Sequence, residues 1–427
     1  MTKSGYFSRA IQARNALTGL LVFLIPFPRA TAPYEIVFYA SLALALFLHV
    51  SGKRAFSLSS PLSLSFAIFL AWGFVGLFSA LDPLNSIHDL YGHFVKYLLL
   101  YYLIINSFCS IRGVETLAWI VSAATGVFAG SAVLTHYILM QNPLSSRLGV
   151  PAIQGVSSDY IGYITIPGVL LSLMLVQESA AVRGKLIAAA LAVVTAVTTI
   201  CTQSRATLIA LGCSLLILYG RKKAAWVAAA LVLFMVIYFV PTLSDRFTIQ
   251  QFTKNERIGL YLTTWHVIRD YPIAGIGFGM QTYGNPDFID LEAYSRQVPV
   301  EYLQLPPIRS PHNTLLDTMV RTGVIGLLIY LYMQFAFMRM GWIVIRRSRD
   351  HRIRYMGICV LSVYAAIFIQ GLFSDGAFGP QALMLYFAFA LMTILWKMVE
   401  AGNAASTSAD SEGKASQSGD VMPAERG

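Results

Sequence analysis

The sequence predicts an all-α protein: a polytopic bundle of about twelve transmembrane helices with one large loop. Of its 427 residues, 56% are hydrophobic and only 12% are charged, a balance that soluble globular domains of this size do not normally show. Apolar runs recur along the chain, each near the roughly 20 residues that a spanning helix needs. A soluble enzyme, a fibrous protein and a single-pass receptor are therefore excluded.

Most of the apolar runs are separated by short connections, and several contain Gly or Pro, which neighbouring helices tolerate in a membrane bundle. The runs near residues 15 and 205 have the weakest boundaries, so eleven or thirteen spans also fit. The twelve runs lie at 15–27, 33–50, 61–80, 90–108, 114–140, 159–176, 184–201, 205–219, 223–240, 313–338, 353–374 and 380–397.

The charge distribution indicates how the chain is oriented. The net charge is +10, and in a polytopic protein a basic excess reports orientation rather than a nucleic-acid partner. With the N-terminus placed in the cytoplasm, twenty of the 31 Lys and Arg residues lie on that side and nine on the far side, while Lys96 and Arg321 lie within spans. Both termini are therefore expected to be cytoplasmic.

Four regions follow from this pattern. Residues 1–240 carry the first nine spans, 241–311 form the large outer loop, 312–400 carry the last three spans, and 401–427 form a small-residue polar tail predicted to be disordered. The loop holds six of the nine outer basic residues. It also contains an amphipathic stretch, 255–270, expected to lie along the membrane surface. Its apolar face consists of Ile258, Tyr261, Leu262, Trp265 and Ile268.

The sequence predicts no metal site and no cofactor. The four cysteines lack the spacing of a metal or redox motif and are expected to be buried thiols. No Asp-x-Asp motif occurs in an outer loop, and the outer carboxylates Asp82, Asp89 and Asp159 are far apart in sequence. A metal site at Asp82 and Asp89 remains the lesser alternative.

The most informative segment joins the large loop to the tenth span, where Pro311 is followed by His312 and Asn313. An imidazole, whose unperturbed pKa is about 6.5, suits proton transfer at the outer water–lipid boundary. His312 is therefore a candidate general base. Alternatively, His312 and Asn313 only cap the helix that follows.

This segment resembles the signature of the lipopolysaccharide O-antigen ligases: His-Asn, nine residues, Gly, two residues, Gly, here His312-Asn313, Gly323 and Gly326. Three further segments resemble the wider O-antigen ligase and polymerase superfamily. They are Thr202-Gln-Ser204-Arg205, Glu256-Arg257 leading to Trp265, and Asp270-Tyr-Pro272-Ile-Ala-Gly275-Ile-Gly277-Phe-Gly279, whose glycines are expected to permit a tight surface turn. The first third of the chain matches in hydropathy alone.

The resemblance implies a GT-C-like membrane glycosyltransferase in the bacterial inner membrane with a periplasmic active site. It implies transfer of polysaccharide from undecaprenyl diphosphate to the lipid A-core oligosaccharide, with inversion and His312 as base. Without a metal, the leaving diphosphate needs Arg forks that match phosphate oxygens. The candidates are Arg147, Arg205 and Arg257, with Lys96 as a further cation and Ser204 and Asn313 as supporting residues.

Each candidate has a structural alternative. Arg205 could be a helix-end cation whose stem lies in lipid, Arg257 could pair with Glu256 or with lipid phosphate, and Arg147 could be an ordinary surface residue. Lys96, together with His93, could be a satisfied core pair. Arg321 and Asp317 are favoured as a structural pair because they lie four residues apart on one helix face.

Three other functions compete with the ligase. An O-antigen polymerase uses the same donor but a second lipid-linked glycan as acceptor, and a protein O-oligosaccharyltransferase uses Ser or Thr. A non-catalytic transporter of lipid-linked glycan is the rival from another class, but it would line a route through the bilayer with charges. Here the basic groups collect on one face beside a large loop, which favours the enzyme, and the His-Asn motif favours the ligase.

Overall fold

The protein is described from a computed structural model that covers residues 3–53, 56–149, 156–220, 256–303, 305–374, 376 and 378–418. Within these ranges the chain is helical and contains no strand. The predicted ninth span (223–240), the start of the large loop and the last nine residues lie outside the described residues.

The first part of the chain forms six α-helices with two π-helical segments. The π segment Tyr91–Val95 joins α4 to α5, and the π segment Leu134–Leu139 extends α6. The helices are α1 (Lys3–Leu24), α2 (Thr31–Val50), α3 (Ser63–Gly76), α4 (Pro83–Leu90), α5 (Lys96–Ser107) and α6 (Ile111–Val133).

The second part begins with three more helices, passes through the loop and ends in three long helices. The loop also contains single 3₁₀ turns at Thr282–Gly284 and Val300–Tyr302, and another, Pro380–Ala382, precedes the last helix. The helices are α7 (Ser158–Glu178), α8 (Val182–Cys201), α9 (Arg205–Tyr219), α10 (Glu256–Asp270), α11 (Leu291–Ser295), α12 (Thr314–Arg347), α13 (His351–Gly371) and α14 (Leu383–Ser418).

Seven helices among the described residues are long and apolar enough to cross a membrane, namely α2, α6, α7, α8, α12, α13 and α14. Every span predicted from the sequence coincides with a helix, except 223–240, which lies outside the described ranges. The rest of the difference in number has three causes. Helices α3 and α9 have only 14 and 15 residues, a π segment interrupts α4–α5, and α1, which contains Lys3, Arg9 and Arg14, is long enough but not apolar enough. The chain is thus a polytopic helical membrane protein.

The last helix continues past the predicted end of the bundle. The sequence predicts a disordered tail from residue 401, whereas α14 extends to Ser418. This segment contains several Ala, Glu, Lys and Gln residues, which have high helix propensity.

Helices α7 and α14 lie at the centre of the bundle, since they are the most buried of the candidate spans, whereas α2 and α8 are largely exposed. An exposed apolar helix is expected to face lipid. The core thus lies between α7, α13 and α14.

Helix α12 is broken at Gly323, whose φ of 67° and ψ of −176° are not helical. The loop fills the break: Ile276 N–H donates to Val320 O at 2.9 Å, and Val324 N–H donates to Pro272 O at 2.8 Å. A Cβ at Gly323 would lie 1.9 Å from Ile273 O. The glycine therefore permits a backbone contact that no side chain would allow.

The glycine-rich turn at 275–279 is buried rather than on the surface, so the expectation of a surface turn is wrong. Gly275 and Gly277 have φ of 71° and 106°, as a tight turn requires. Ile276 and Phe278 between them are buried. Packing against α12 explains why this turn lies in the interior.

Helix α10 forms where the sequence predicts the amphipathic stretch. Leu260, Val267 and Ile268 are buried within the protein, whereas Trp265 is 47% exposed. Tyr294 of α11 donates to Asp270 at 2.6 Å, and its pKa is raised by burial and by this hydrogen bond. The part of the loop that the structure describes, from residue 256 onward, is thus packed together with the first half of α12.

Candidate active site

The C-terminal end of α13 and the turn after it, residues 370–374, form the meeting point of three segments singled out in the sequence. We call these residues the α13 corner. Gln370 Nε2 donates to Asp159 O at 2.7 Å, and Leu372 O accepts from Asn313 Nδ2 at 2.9 Å. Phe373 lies under the Arg257 guanidinium, 5.6 Å from ring centroid to guanidinium carbon.

The first segment at the corner is organised by the Asp159 carboxylate, at the start of α7. Asp159 Oδ1 accepts from Ser204 Oγ at 2.8 Å and from Arg147 Nη2 at 3.1 Å. Ser204 is also the N-cap residue of α9, where it accepts from Thr207 N–H at 3.5 Å. Arg205, the first residue of α9, therefore starts its helix beside Arg147.

Arg147 is held along one edge of its guanidinium. Its Nε donates to Thr202 O at 3.0 Å and its Nη2 to Asp159. The loop beneath it is tied to the same turn, because Leu148 N–H donates to Cys201 O at 2.9 Å and Gln203 Nε2 to Ser145 O at 2.9 Å. Within the described residues Nη1 has no such partner, and the side chain is 38% exposed. Arg147 is thus a positioned cation with donors left for a ligand.

The second segment is the start of α10. Arg257 stacks on Phe373, and Tyr261 one turn later donates to Leu372 O at 3.5 Å. A cation over an aromatic face keeps its charge while its orientation is restricted. Arg257 is therefore held against the same corner as Asn313.

The third segment is the start of α12. Asn313 caps this helix, since its Oδ1 accepts from Leu315 N–H at 2.9 Å and Leu316 N–H at 3.1 Å. His312 precedes the cap with φ of 46°, a left-handed conformation that is uncommon for a residue other than Gly. Such backbone strain clusters at functional sites. The capping role thus belongs to Asn313, and His312 is held in an unusual conformation beside it.

The α13 corner therefore connects the segments that carry Arg147, Arg205, Arg257 and His312, all named from the sequence. Guanidinium groups bind phosphate oxygens through fork-shaped pairs of hydrogen bonds, and an imidazole can accept a proton. Together they can bind an anionic leaving group and activate a hydroxyl nucleophile. Among the described residues, no three His, Cys, Asp or Glu side chains gather as a metal-binding group.

Lys96 has its own partners elsewhere. Its ammonium lies 2.6 Å from Glu35 and within 6 Å of the ring centroids of Tyr39 and Tyr91. No described hydrogen bond or ion pair links it to the α13 corner. Lys96 is thus paired, but with Glu35 rather than with His93, whose Nδ1 lies 3.0 Å from the Tyr97 hydroxyl.

A buried ion pair fixes the turn that leads from the loop into the bundle. Arg321 Nε lies 2.7 Å from Asp317 Oδ1, as the sequence predicts for this pair, and both side chains are almost fully buried. Arg321 also donates to Gly279 O and Met280 O, while Asp89 accepts from Met280 N–H at 2.6 Å. The backbone of residues 279–280 is thus held between the Arg321 cation of α12 and the Asp89 carboxylate of α4.

Comparison with known families identifies the part of the chain in which these residues lie. Residues 190–331 match a family model described as O-antigen ligase. This segment is therefore similar to the O-antigen ligase family. The match confirms the resemblance seen in the motifs, and it contains Ser204, Arg205, Arg257 and the His312-Asn313 pair. No match was found among curated proteins.

The O-antigen ligase segment covers 142 of the 427 residues and leaves Arg147 and Lys96 outside. The family comprises glycosyltransferase-like ligases and polymerases, whose substrates are in general a lipid-linked glycan and a lipid acceptor. The chain is accordingly a polytopic helical membrane protein in which one segment is similar to the O-antigen ligase family.

Sequence reasoning missed the α13 corner and the role of Asp159. Gln370 and Ser374 are polar residues at the end of an apolar run, and this was the available signal, because polar groups near membrane depth need partners. Asp159 was noticed as an outer carboxylate and weighed only for metal binding. Its pairing with Arg147 and Ser204 depends on tertiary contacts that sequence spacing does not reveal.

Proposed function

We propose that this protein is an O-antigen ligase. It transfers polysaccharide from undecaprenyl diphosphate to the lipid A-core oligosaccharide on the periplasmic face of the bacterial inner membrane. The proposed topology has about twelve spans with both termini in the cytoplasm and a GT-C-like arrangement, in which the large loop covers the outer ends of the helices.

The observation that carries the proposal is the convergence of three segments on the α13 corner. They are separated widely in sequence, yet Asp159, Arg257 and Asn313 each contact residues 370–374. Two of the three lie within the matched O-antigen ligase segment. The segments that carry the candidate cations and the candidate base thus approach one part of the fold.

The arginines bind the donor diphosphate in the proposed mechanism. Arg147 binds through Nη1, because its Nε and Nη2 already donate to Thr202 O and Asp159. Arg205 and Arg257 add further pairs of hydrogen bonds to the phosphate oxygens. Their positive charges stabilise the negative charge that develops as the bond between the sugar carbon and the diphosphate oxygen breaks. Since Arg stays protonated at all relevant pH values, this stabilisation needs no divalent metal.

His312 acts as the general base. The acceptor hydroxyl attacks the sugar carbon that bears the diphosphate from the opposite face, and its proton passes to the His312 imidazole. The new carbon–oxygen bond forms as the bond to the diphosphate breaks, and undecaprenyl diphosphate leaves with the electron pair. The configuration at that carbon is therefore inverted. A positioned base typically contributes about 10² to 10⁴-fold to such a step.

The lipopolysaccharide profile of a deletion strain tests the ligase against its nearest rival. Loss of a ligase leaves lipid-linked polymer unattached to core, whereas loss of a polymerase leaves core that bears a single repeat. The proposal expects the first pattern, restored by the gene in trans. The second pattern would assign the protein as a polymerase, and an unchanged profile would contradict both.

Metal independence is tested with purified full-length protein, lipid-linked donor and acceptor. We expect transfer to continue at an unchanged rate in excess chelator, because the arginines supply the positive charge. Loss of transfer, with recovery after Mg²⁺ or Mn²⁺ is added, would move the assignment to the outer carboxylates Asp82 and Asp89.

A further inference from the structure

A cleft in the large loop lies apart from the α13 corner and is not used by the mechanism above. Its volume is about 160 Å³, smaller than the roughly 300–1,000 Å³ of pockets for drug-sized ligands. One wall is the segment around α11 and the other is the segment that leads to His312. The lining includes Ile289, Asp290, Glu292, Pro306, Pro307 and Arg309.

We propose that this cleft binds one neutral sugar unit of a glycan substrate next to His312. The inference rests on the proposed function, because it assigns a subsite to that reaction. Arg309 precedes His312 by three residues, so their Cα atoms lie at most roughly 11 Å apart. A sugar held there extends toward the reacting groups.

The charges in the cleft select the class of ligand. Two carboxylates repel a phosphate or another anion, and Arg309 disfavours a metal cation at the same place. A neutral polyol can bind both the negative and the positive side chains, because its hydroxyls donate to carboxylate oxygens and accept from guanidinium N–H groups. Hydrogen bonds of this charge-assisted kind are stronger than neutral ones.

The polar groups of the cleft keep capacity for a ligand. Asp290 caps α11, where its Oδ1 accepts from Ala293 N–H at 3.0 Å, and Oδ2 is not engaged in that bond. Glu292 faces Arg296 only at 3.6 Å, with both side chains more than half exposed. Arg309 is exposed and has no described ion pair. These exposed side chains can therefore turn to a sugar at little cost.

The walls of the cleft are pre-formed. Pro306 and Pro307 have fixed φ angles, which limits the entropy lost on binding. Gly284 lets the two walls approach, since a Cβ there would lie 2.8 Å from Arg309 Cβ. Ile289 and the proline rings provide an apolar surface for the C–H face of a sugar ring.

Direct binding to the full-length protein in detergent tests the proposal without requiring transfer. The probes are two soluble glycans, core oligosaccharide freed of lipid A and O-polysaccharide freed of its carrier, titrated by calorimetry. The cleft variants are Arg309→Gln, Glu292→Gln and Asp290→Asn, the last of which preserves the helix cap. Glu301→Gln and Arg269→Gln are matched exposed changes in the same loop that lie outside the cleft.

We expect each cleft variant to raise the Kd of one glycan about 10-fold at an unchanged melting temperature, with both controls within two-fold of wild type. If only the affinity for core oligosaccharide falls, the cleft belongs to the acceptor. If only the affinity for O-polysaccharide falls, the cleft belongs to the donor. The proposal is overturned if wild type binds neither glycan at millimolar concentration, if the cleft variants bind as wild type does, or if pyrophosphate competes for the cleft. A protein that binds glycan through the cleft but never ligates would refute the ligase and retain the subsite.

Discussion

His312 and Asn313 are adjacent in sequence, yet the structure gives them different roles. Asn313 completes the hydrogen bonding of the first turn of α12 and reaches the α13 corner through its amide. His312 has a left-handed backbone and does not form that cap. Because Asn313 alone forms this cap, the catalytic role proposed for His312 can be tested separately from helix capping.

Substitution of His312 by Asn is expected to abolish most of the transfer while the fold is kept. Asn tolerates the left-handed conformation better than most residues but is no base at neutral pH. We expect turnover to fall about 10²-fold or more, with donor affinity and melting temperature unchanged. Single-turnover rates and donor binding on the purified variant measure this.

The matched control is Asn313→Ala, which removes the cap and the bond to Leu372 O. It should lower the free energy of unfolding by about 1–2 kcal/mol. A His312→Asn variant that ligates at the wild-type rate would end the general-base assignment.

Exchange of Arg for Lys tests whether these residues bind phosphate through two parallel hydrogen bonds or only through their positive charge. Arg205→Lys and Arg257→Lys keep the net charge but cannot form two parallel hydrogen bonds to one phosphate. We expect kcat/KM for the lipid-linked donor to drop at least about 10-fold in each, with normal expression. Arg269→Lys, at the exposed end of α10, serves as the control and should behave as wild type. Wild-type rates in both test variants would mean that these residues are orientation or lipid anchors.

At the scale of elements, the break in α12 is what joins the loop to the bundle. The carbonyl groups of residues 320–322 lose helical partners at Gly323 and accept instead from Ile276 N–H, Gly277 N–H and the Trp72 indole. Buried backbone groups need such partners, above all in a membrane. The interrupted helix and the glycine-rich turn therefore form one structural unit.

Gly323→Ala is expected to damage this unit. A Cβ would meet Ile273 O at 1.9 Å, and the positive φ alone costs a residue with a side chain roughly 1–2 kcal/mol. We expect a loss of at least about 2 kcal/mol in stability, together with faster proteolysis within the loop. Gly130→Ala in α6, where a Cβ meets nothing within 4 Å, should be neutral or slightly stabilising. Equal melting temperatures for the two variants would contradict this account of the kink.

Hydropathy predicted the positions of the helices because each spanning segment must be apolar over a fixed length. The motifs likewise predicted the segments around Ser204, Arg257 and His312 that meet at the corner. What the sequence could not supply depends on tertiary contacts. The orientation of α10 follows from packing against the turn at 275–279, and the hydrogen bond from Ser204 to Asp159 joins the connection before α9 to the start of α7.

At the scale of the whole molecule, twenty of the 31 basic residues fall on one side if both termini are cytoplasmic. The positive-inside tendency makes this arrangement the favoured one. It places the α13 corner and the large loop together on the opposite face. Three of the nine basic residues on that face, Arg147, Arg205 and Arg257, bind the anionic substrate in the proposed mechanism.

Cysteine labelling tests this orientation directly. Cys109, which follows α5, is exposed, so the expectation that all four cysteines are buried is wrong for this residue. It is expected in the cytoplasm, while Glu301 is exposed in the large loop and is expected in the periplasm. In cells with a permeable outer membrane, an impermeant maleimide should label a Glu301→Cys variant made in a Cys109→Ser background. It should leave the wild-type Cys109 unlabelled until the inner membrane is opened.

Labelling of Cys109 in such cells, with no labelling at position 301, would invert the topology and remove the periplasmic reaction from the proposal. The remaining thiols at 201, 213 and 359 are partly or fully buried, so a Cys109→Ser protein with Glu301 intact supplies the background signal.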